Sequence, residues 1–241
     1  MDKGGIAVVS FTGRETESGR VFDTTDEKTA RESGIYRENA IFRPVPIILG
    51  KGELIKGLEE ELEKMREGEH KTVKLQAEKA FGPRRKELVV VVPLQEFKNR
   101  NVQPFPGLVV ELNDRYGRVQ SVSGGRVRVD LNSDLAGKEV EYDIKVEKEL
   151  KTGKEQVQAL TEKFFPLKDK KIDARIEGKE LEVKLPNGLP KEISIIKDAY
   201  ARTITENIKG IEKVRFVEEF EKLKEGKTEK KAEEAPVKEK K

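Results

Sequence analysis

A glycine-rich turn between an apolar run and a helix is the feature that most constrains how this chain folds. Residues 47–62 read IILGKGELIKGLEEEL, with glycines at positions 50, 52 and 57. A dinucleotide-binding turn needs Gly-x-Gly-x-x-Gly, so that the backbone can approach a pyrophosphate at the start of a helix. Here the third glycine comes two residues late, and the Gly-Lys-Ser/Thr ending of an ATP-binding loop is missing. We therefore expect a structural turn from strand to helix, and no phosphate site.

The helix that follows carries its apolar side chains on one face. Leu58, Leu62 and Met65 have the i, i+4, i+7 spacing of a helical stripe, and glutamates occupy most of the other positions. Gly68 is placed to end this helix. The next segment, HKTVKLQA at 70–77, alternates apolar and polar residues as a half-buried antiparallel strand does. The pattern predicts a single amphipathic helix packed on a sheet.

A second, β-rich unit interrupts the first. Short strands are predicted within residues 87–131 by the segments ELVVVVP, PGLVVEL and YGRVQSVSGGRVRVDLN. The third of these segments contains two strands joined by a Gly-Gly hairpin turn. This stretch is short for an independent domain, and a long alternating strand at 135–150 follows it. We expect residues 87–131 to be inserted in a host domain made of residues 1–86 and 132–150. Residues 24–44, in the host, are polar and predict an irregular surface excursion.

A third unit begins near residue 151. Its pattern predicts a leading helix and then a β-β-α-β order, which is typical of a small α+β domain over residues 151–228. Residues 229–241 are charged and almost free of apolar side chains, so we expect a disordered tail. The fold class predicted for the whole chain is α+β.

Composition excludes several kinds of chemistry. The chain has no cysteine and one histidine in 241 residues, which removes disulfides, Cys/His zinc sites and any Ser-His or Cys-His pair that does not use His70. Lys and Arg exceed Asp and Glu by only three, 49 against 46, so no long-range attraction to nucleic acid or a membrane surface is implied. We expect no metal, no cofactor, no nucleic-acid partner and no membrane span.

The same composition bears on the source and location of the protein. Charged residues make up 39% of the chain, and a Lys/Glu-rich, cysteine-free sequence is typical of heat-adapted cytosolic proteins, because ion-pair networks gain value at high temperature. The first apolar run, residues 6–11, is too short for the core of a signal peptide. We expect a cytoplasmic protein.

Six stretches together resemble the FKBP-type peptidyl-prolyl cis/trans isomerases, in the SlyD-like branch that has a domain inserted in its flap. The resemblance covers residues 1–150, and the third unit is similar to the extra C-terminal domains of longer archaeal members. It implies an FKBP-like antiparallel sheet, and catalysis of X-Pro rotation in unfolded or partly folded polypeptides. The stretches are VSFTG at 9–13, VFDTT at 21–25, LGKGELIKGLEEEL at 49–62, GEHKTVKL at 68–75, AFGPRRKELV at 80–89 and LAGKEVEYDIKV at 135–146.

The resemblance also implies a substrate pocket. Asp23 would be the polar anchor beside the substrate carbonyl, Ile55 would offer its backbone N–H, and Leu58 would be the floor where many members have Trp. Phe81 stands where many members have a Tyr hydroxyl, so we expect that hydrogen bond to substrate to be absent. The catalytic residues implied are Phe22, Asp23, Ile55, Phe81 and Tyr142, and the substrate-binding residues are Phe11, Leu54 and Leu58.

In relatives the flap insert captures unfolded chains, which adds a chaperone function to the expectation. Phe97, Val102 and Phe105 lie near loops rich in Asn, Gln and Pro and are the candidates for contact with clients. A unit of this length has too little interior for all of its valines and phenylalanines, so we expect part of them to be exposed. The combined hypothesis is a folding helper, in which the insert holds a chain and the pocket turns its prolines.

The residues taken by themselves leave other interpretations open. Asp23 is also placed to cap the turn at Thr24 and Thr25, and isolated aromatic residues usually fill cores. A holdase without isomerase activity would keep the insert, and an RNA- or ribosome-associated factor could use the barrel-like segment around the Gly-Gly turn. A homodimer could form through the last strand of the third unit.

Overall fold

The computed structural model describes residues 1–166, 172–187, 189–190 and 193–218, and the expected tail at 229–241 lies outside these ranges. The described residues form three sheets. The strands are β1 Ile6–Glu15, β2 Val21–Thr24, β3 Val45–Ile48, β4 His70–Leu75, β5 Val89–Pro93, β6 Val109–Leu112, β7 Arg115–Ser123, β8 Arg126–Asp130, β9 Val140–Leu150, β10 Asp173–Glu177, β11 Glu180–Leu185 and β12 Lys213–Glu218. The α-helices are α1 Glu27–Glu32, α2 Lys56–Leu62, α3 Leu94–Asn99, α4 Gly153–Phe164 and α5 Ile193–Asn207.

The host sheet is antiparallel and has the order β2-β1-β9-β4, with β3 paired to the first half of β1. Its central strand β9 comes after the insert, so the host closes only when the chain returns from it. The inward face of β9 is the predicted one, because Val140, Tyr142, Ile144 and Val146 are all buried. The helix α2 packs on this face and buries Leu58 and Leu62 of the predicted stripe, and Met65 is buried in the same core.

The helix is shorter than predicted. It ends at Leu62 instead of near Gly68, and Met65 is buried from the turn that follows. The carbonyls at its end have partners outside the helix. The Met1 amino group donates to the Glu63 carbonyl at 2.5 Å, and the Met65 N–H donates to the Leu62 carbonyl in a tighter turn. The segment that follows the helix is therefore held by a residue more than 60 positions away in the chain.

The polar segment at 24–44 contains a helix where we expected irregular structure. Helix α1 is six residues long and buries Ala30. Asp26 is its N-cap, because the Asp26 carboxylate accepts a hydrogen bond from the Thr29 N–H at 2.7 Å. Arg31 and Glu27 form an i,i+4 ion pair on its exposed side.

The insert is a four-stranded antiparallel sheet with the order β5-β8-β7-β6, covered by α3. The predicted turn joins β7 to β8, with both Gly124 and Gly125 at positive φ, 56° and 73°. The core of the insert is small: Phe97, Val119, Val127 and Val129 are its buried residues.

The third unit has the predicted order of elements. Strand β11 pairs antiparallel with β10 and parallel with β12, and α4 and α5 pack on this sheet. Its core includes Ile6, Ile48 and Leu150 of the host, so the unit packs directly on the host sheet. Among the helices that the structure describes, none has the length and apolar character needed to span a membrane.

Candidate active site

Four aromatic rings lie in a row at one end of the host sheet. The Phe81 and Phe22 centroids are 5.5 Å apart, those of Phe22 and Tyr142 are 5.7 Å apart, and those of Tyr142 and Phe11 are 6.1 Å apart. Each pair meets edge to face, which is a favoured geometry for aromatic side chains. Leu54, Ile55 and Leu58 pack in the same cluster. We call this set the aromatic cup: Phe11, Phe22, Leu54, Ile55, Leu58, Phe81 and Tyr142.

The cup is partly open. Leu58 and Tyr142 are buried, with exposed fractions of 1% and 4%, and they form its floor. The other members are only partly buried. The structure therefore brings together the apolar pocket residues that the family resemblance implied, although they come from five separate parts of the chain.

The rings can meet because residue 13 is a glycine. Gly13 on β1 pairs with Asp23 on β2 on one side and with Tyr142 on β9 on the other. A Cβ at this position would stand 2.9 Å from Phe22 Cε2, closer than real Cβ contacts. The pattern of the sequence does not single out Gly13; its place in VSFTG, one turn before the β2 strand, is the signal that it carries.

Two threonines fix β2 against β1. The Phe11 N–H donates to Thr25 Oγ1 at 2.9 Å, and the Thr25 N–H donates to the Phe11 carbonyl at 2.9 Å. Thr24 Oγ1 shares a 2.7 Å hydrogen bond with Thr12 Oγ1. Both Thr24 and Thr25 are buried, and together they hold the preceding residues Phe22 and Asp23 at the cup.

Asp23 stands at the rim of the cup, and the N-cap of helix α1 is Asp26. The Thr24 backbone hydrogen-bonds to the Asp23 carboxyl, which fits the turn cap that the residues alone allowed. Desolvation by its surroundings raises the pKa of the Asp23 carboxyl, and the neighbouring Thr24 backbone opposes this in part. Burial also raises the pKa of Tyr142 above its ordinary range, and the charge of Asp23 adds to this effect. The Tyr142 hydroxyl therefore stays protonated beside the carboxylate.

The glycine-rich turn presents one side of the cup. Gly50 and Gly52 adopt positive φ, 78° and 72°, which lets the chain reverse before Leu54. Ile55 is the N-cap of α2 in an extended conformation, and its carbonyl accepts the first N–H groups of the helix. Among the residues that the structure describes, none accepts a hydrogen bond from the Ile55 N–H. This donor is available to a ligand.

These groups suit a particular kind of ligand. The cup can hold a compact apolar ring, Ile55 can donate to a backbone carbonyl, and the Asp23 carboxylate adds one charge at the rim. No cluster of three or more metal-binding side chains occurs in the described ranges.

The insert carries the other predicted residues. Val102 and Phe105 are exposed, at 36% and 57%, as expected for contact with a client. Phe97 is different, because it is only 4% exposed and lies in the core of the insert with Val119, Val127 and Val129. It still reaches a cavity of about 420 Å³ between α3 and β6, whose wall also includes Val102, Val109 and Leu112.

The segments that join host and insert are held together. The Gly137 N–H donates to the Gly82 carbonyl at 2.8 Å, next to Phe81 of the cup. The Arg84 guanidinium pairs with the buried carboxylate of Asp130, at the end of β8. The insert is thereby attached close to the cup.

Family models match three consecutive parts of the chain. The model described as FKBP-type peptidyl-prolyl cis-trans isomerase matches residues 1–98, the one described as FKBP26, IF domain, matches residues 90–135, and the one described as FKBP26 C-terminal matches residues 153–221.

Curated relatives match about half of the chain. The short-type peptidyl-prolyl cis-trans isomerase of Methanocaldococcus jannaschii is 36% identical over 128 residues, which are 53% of this chain and 82% of that protein. A probable FKBP-type 16 kDa peptidyl-prolyl cis-trans isomerase of Pseudomonas fluorescens is 30% identical over 43% of this chain and 71% of its own length. The FKBP-type 16 kDa peptidyl-prolyl cis-trans isomerase of Escherichia coli K12 is 29% identical over 52% of this chain and 80% of its own length. The chain therefore belongs to the family of FKBP-type peptidyl-prolyl cis-trans isomerases, with an insert-in-flap domain, and it is an enzyme of that class.

Proposed function

We propose that X-Pro rotation takes place in the aromatic cup, and that the insert binds the unfolded chains whose prolines the cup turns. The observation that carries the first part is the convergence of four aromatic rings, one carboxylate and one unused N–H donor at the same end of the sheet. The catalytic roles of Asp23, Phe22, Ile55, Phe81 and Tyr142, and the binding roles of Phe11, Leu54 and Leu58, belong to this proposal.

The reaction needs no nucleophile or cofactor. Rotation about an X-Pro bond faces a barrier of about 18–20 kcal/mol, because amide resonance is lost in the twisted state. A pocket accelerates the rotation only if it binds the twisted amide better than the planar forms. An acceleration of about 10⁴-fold requires about 5.5 kcal/mol of such preference.

Each part of the cup contributes to that preference. The rings surround the proline and exclude water from the amide, which weakens the solvation of its planar, more polar form. The carbonyl oxygen carries less negative charge in the twisted amide, so a nearby Asp23 carboxylate repels the planar form more strongly. The Ile55 N–H holds an adjacent substrate carbonyl in place while the bond turns.

The second part of the proposal rests on exposed apolar surface beside an open strand edge. Val102, Phe105 and Val109 are 36%, 57% and 51% exposed. Strand β6 pairs only with β7 in the described residues, so its outer edge can accept an extended chain by β-augmentation. The cavity between α3 and β6 would then take an apolar side chain of the client.

Isomerisation in the cup needs only a short proline peptide, whereas binding by the insert needs an unfolded chain. Two substrates can therefore distinguish the two parts of the proposal. We would measure the acceleration of a proline-limited refolding reaction and of exchange in a short proline peptide, for Val102→Ser and Val109→Ser. Val91→Ser is the matched control, because Val91 is 60% exposed on β5 but lies outside the cavity. We expect the two cavity variants to lose refolding activity several-fold and to keep peptide activity, and the control to keep both. Equal refolding rates for all variants would contradict a client site at the cavity.

Three further expectations stay predictions. A cytoplasmic location and the lack of a nucleic-acid partner rest on composition. A homodimer would form through the last strand of the third unit, β12, which pairs only with β11 among the described residues. Light scattering of the full chain would test the dimer.

A further inference from the structure

The turn that leads to Ile55 is held by two glutamates. The N–H groups of Gly52 and Glu53 both donate to Glu59 Oε1, at 2.9 Å and 3.1 Å. Glu53 in turn folds back along the chain, and its Oε2 accepts from the Ile48 N–H at 3.1 Å. One carboxylate thus fixes the second half of the turn to α2, and the other fixes it to the end of β3.

A lysine of the third unit completes this arrangement. Lys163 lies in the last turn of α4, and its Nζ donates to Glu53 Oε2 and to the Pro46 carbonyl, each at 2.9 Å. The Lys163 and Glu53 side chains are only 28% and 26% exposed. An ion pair that is shielded and makes more than one hydrogen bond is stronger than an exposed one.

The helix that carries Lys163 is itself fixed to the host. Leu160 of α4 belongs to the same buried core as Ile48 at the end of β3. The Arg43 guanidinium donates to the Glu162 carbonyl at 2.9 Å, which ties the last turn of α4 to the segment before β3. Lys163 therefore acts from a rigid support and is not a flexible surface lysine.

We propose that Lys163 is a positioning residue for the isomerase reaction. Through Glu53 it holds the glycine-rich turn so that Leu54 and Ile55 face the bound proline, and the third unit thereby takes part in forming the pocket. This inference rests on the proposed function, in which the Ile55 N–H and the Leu54 side chain contact substrate. It assigns to residues beyond 150 a role in the reaction of a pocket made from residues 11–142.

The inference predicts which kinetic constant changes. Without the Lys163 ammonium, the turn spends only part of its time in the binding position, and apparent affinity falls in proportion to that fraction. KM should therefore rise while kcat stays nearly constant. Asp23→Ala should do the opposite, since Asp23 acts on the twisted amide and its loss lowers kcat.

The test uses the full chain, because removing the third unit would uncover Ile6 and Ile48. NMR exchange of an Ala-Leu-Pro-Phe peptide at increasing peptide concentration gives kcat and KM for Lys163→Met, Glu53→Gln and the double variant. We expect KM to rise about tenfold for each single variant, as for loss of one charge-assisted hydrogen bond, and no further in the double variant. Lys163→Arg, which keeps the charge and the donors, should restore most of the affinity.

The matched control is Lys154→Met, an exposed lysine in the first turn of the same helix, which should leave KM unchanged. The amide resonances of Leu54 and Ile55 should shift in Lys163→Met and not in the control. The inference is overturned if Lys163→Met matches the control in KM, if the two single effects add in the double variant, or if those amides do not move. Failure of the proposed function looks different. In that case the unmodified chain would not accelerate exchange, or Asp23→Ala would accelerate it as much as the unmodified chain does. The amide shifts of Leu54 and Ile55 would still report whether Lys163 positions the turn.

Discussion

Gly13 lies opposite Tyr142 on the neighbouring strand, and the two approach so closely that a Cβ at residue 13 would be 2.8 Å from Tyr142 Cε1. The ring of Tyr142 thus occupies the space that a side chain at residue 13 would need. The floor of the cup depends on the absence of one methyl group.

The first prediction concerns this contact. Gly13→Ala should displace the Tyr142 and Phe22 rings, since both lie within 2.9 Å of the added Cβ. We expect the free energy of unfolding to fall by about 1–3 kcal/mol, and kcat/KM for a proline peptide to fall by about tenfold or more. Chemical denaturation and NMR exchange measure the two effects.

Gly153→Ala is the matched control for this substitution. A Cβ there meets its nearest neighbour at an ordinary 3.7 Å, at the start of α4. It should leave activity intact and leave stability equal or higher. Full activity in Gly13→Ala would mean that the rings can rearrange and that the close approach does not shape the site.

The second prediction follows from the raised pKa of Asp23. The Asp23 carboxyl has a higher pKa in the folded state than in the unfolded state, so the folded state holds its proton more tightly. As the pH rises from the unfolded-state pKa to the folded-state pKa, the free energy of unfolding falls, and this loss persists at neutral pH. Asp23→Asn should therefore be more stable than the unmodified protein at pH 7. The gain should vanish when the pH falls below that interval, while activity is reduced at every pH.

Asp26 provides a control of opposite sign, only three residues away. Hydrogen bonds from the Thr29 N–H and hydroxyl lower the pKa of Asp26, so its charged form stabilises the folded state. Asp26→Asn should be less stable than the unmodified protein at pH 7, and this loss should disappear in acid. Thermal unfolding at several pH values measures both variants, and a loss of stability in Asp23→Asn at neutral pH would contradict the desolvation of Asp23.

The third prediction concerns the attachment of the insert. The buried Asp130 carboxylate accepts from Arg84, from Gln120 Nε2 at 2.9 Å and from Asn132. Asp130→Ala should lower the free energy of unfolding of the insert by about 1–3 kcal/mol, because several donors lose their acceptor. Amide hydrogen exchange should increase in β5 to β8 and stay unchanged in the host strands.

Asp134→Ala is the comparison for that experiment. Asp134 also pairs with an arginine, Arg118, but both side chains are about half exposed, at 54% and 47%. We expect a cost of about 1 kcal/mol or less. An equal effect of the two substitutions would show that the burial of Asp130 does not matter.

Patterns local in the sequence predicted the framework well. Leu58 and Leu62 of α2 and the alternating residues of β9 are buried as expected, because burial repeats with the period of the element, whereas Met65 is buried from the turn after the helix. The family resemblance then supplied the members of the cup, which no local pattern could have brought together.

What the sequence did not show depends on distant contacts. The Met1 amino group donates to the Glu63 carbonyl just after α2, and the Lys163–Glu53 pair joins residues 110 positions apart. Phe97 is in the core of the insert because a small sheet has few large side chains to fill it. The sequence pattern does not predict helix α1, because one buried residue, Ala30, is too few to show the spacing of a helix.

The fourth prediction is the most direct test of the account, that the cup with Asp23 at its rim is where X-Pro bonds turn. The measurement is NMR exchange between the cis and trans forms of an Ala-Leu-Pro-Phe peptide, with the full chain and with Asp23→Ala. We predict faster exchange with the unmodified chain, and a fall of about tenfold or more in kcat when the carboxylate is removed, equivalent to about 1.4 kcal/mol or more of lost preference for the twisted amide. Exchange that is equally fast with Asp23→Ala would contradict this account of the site.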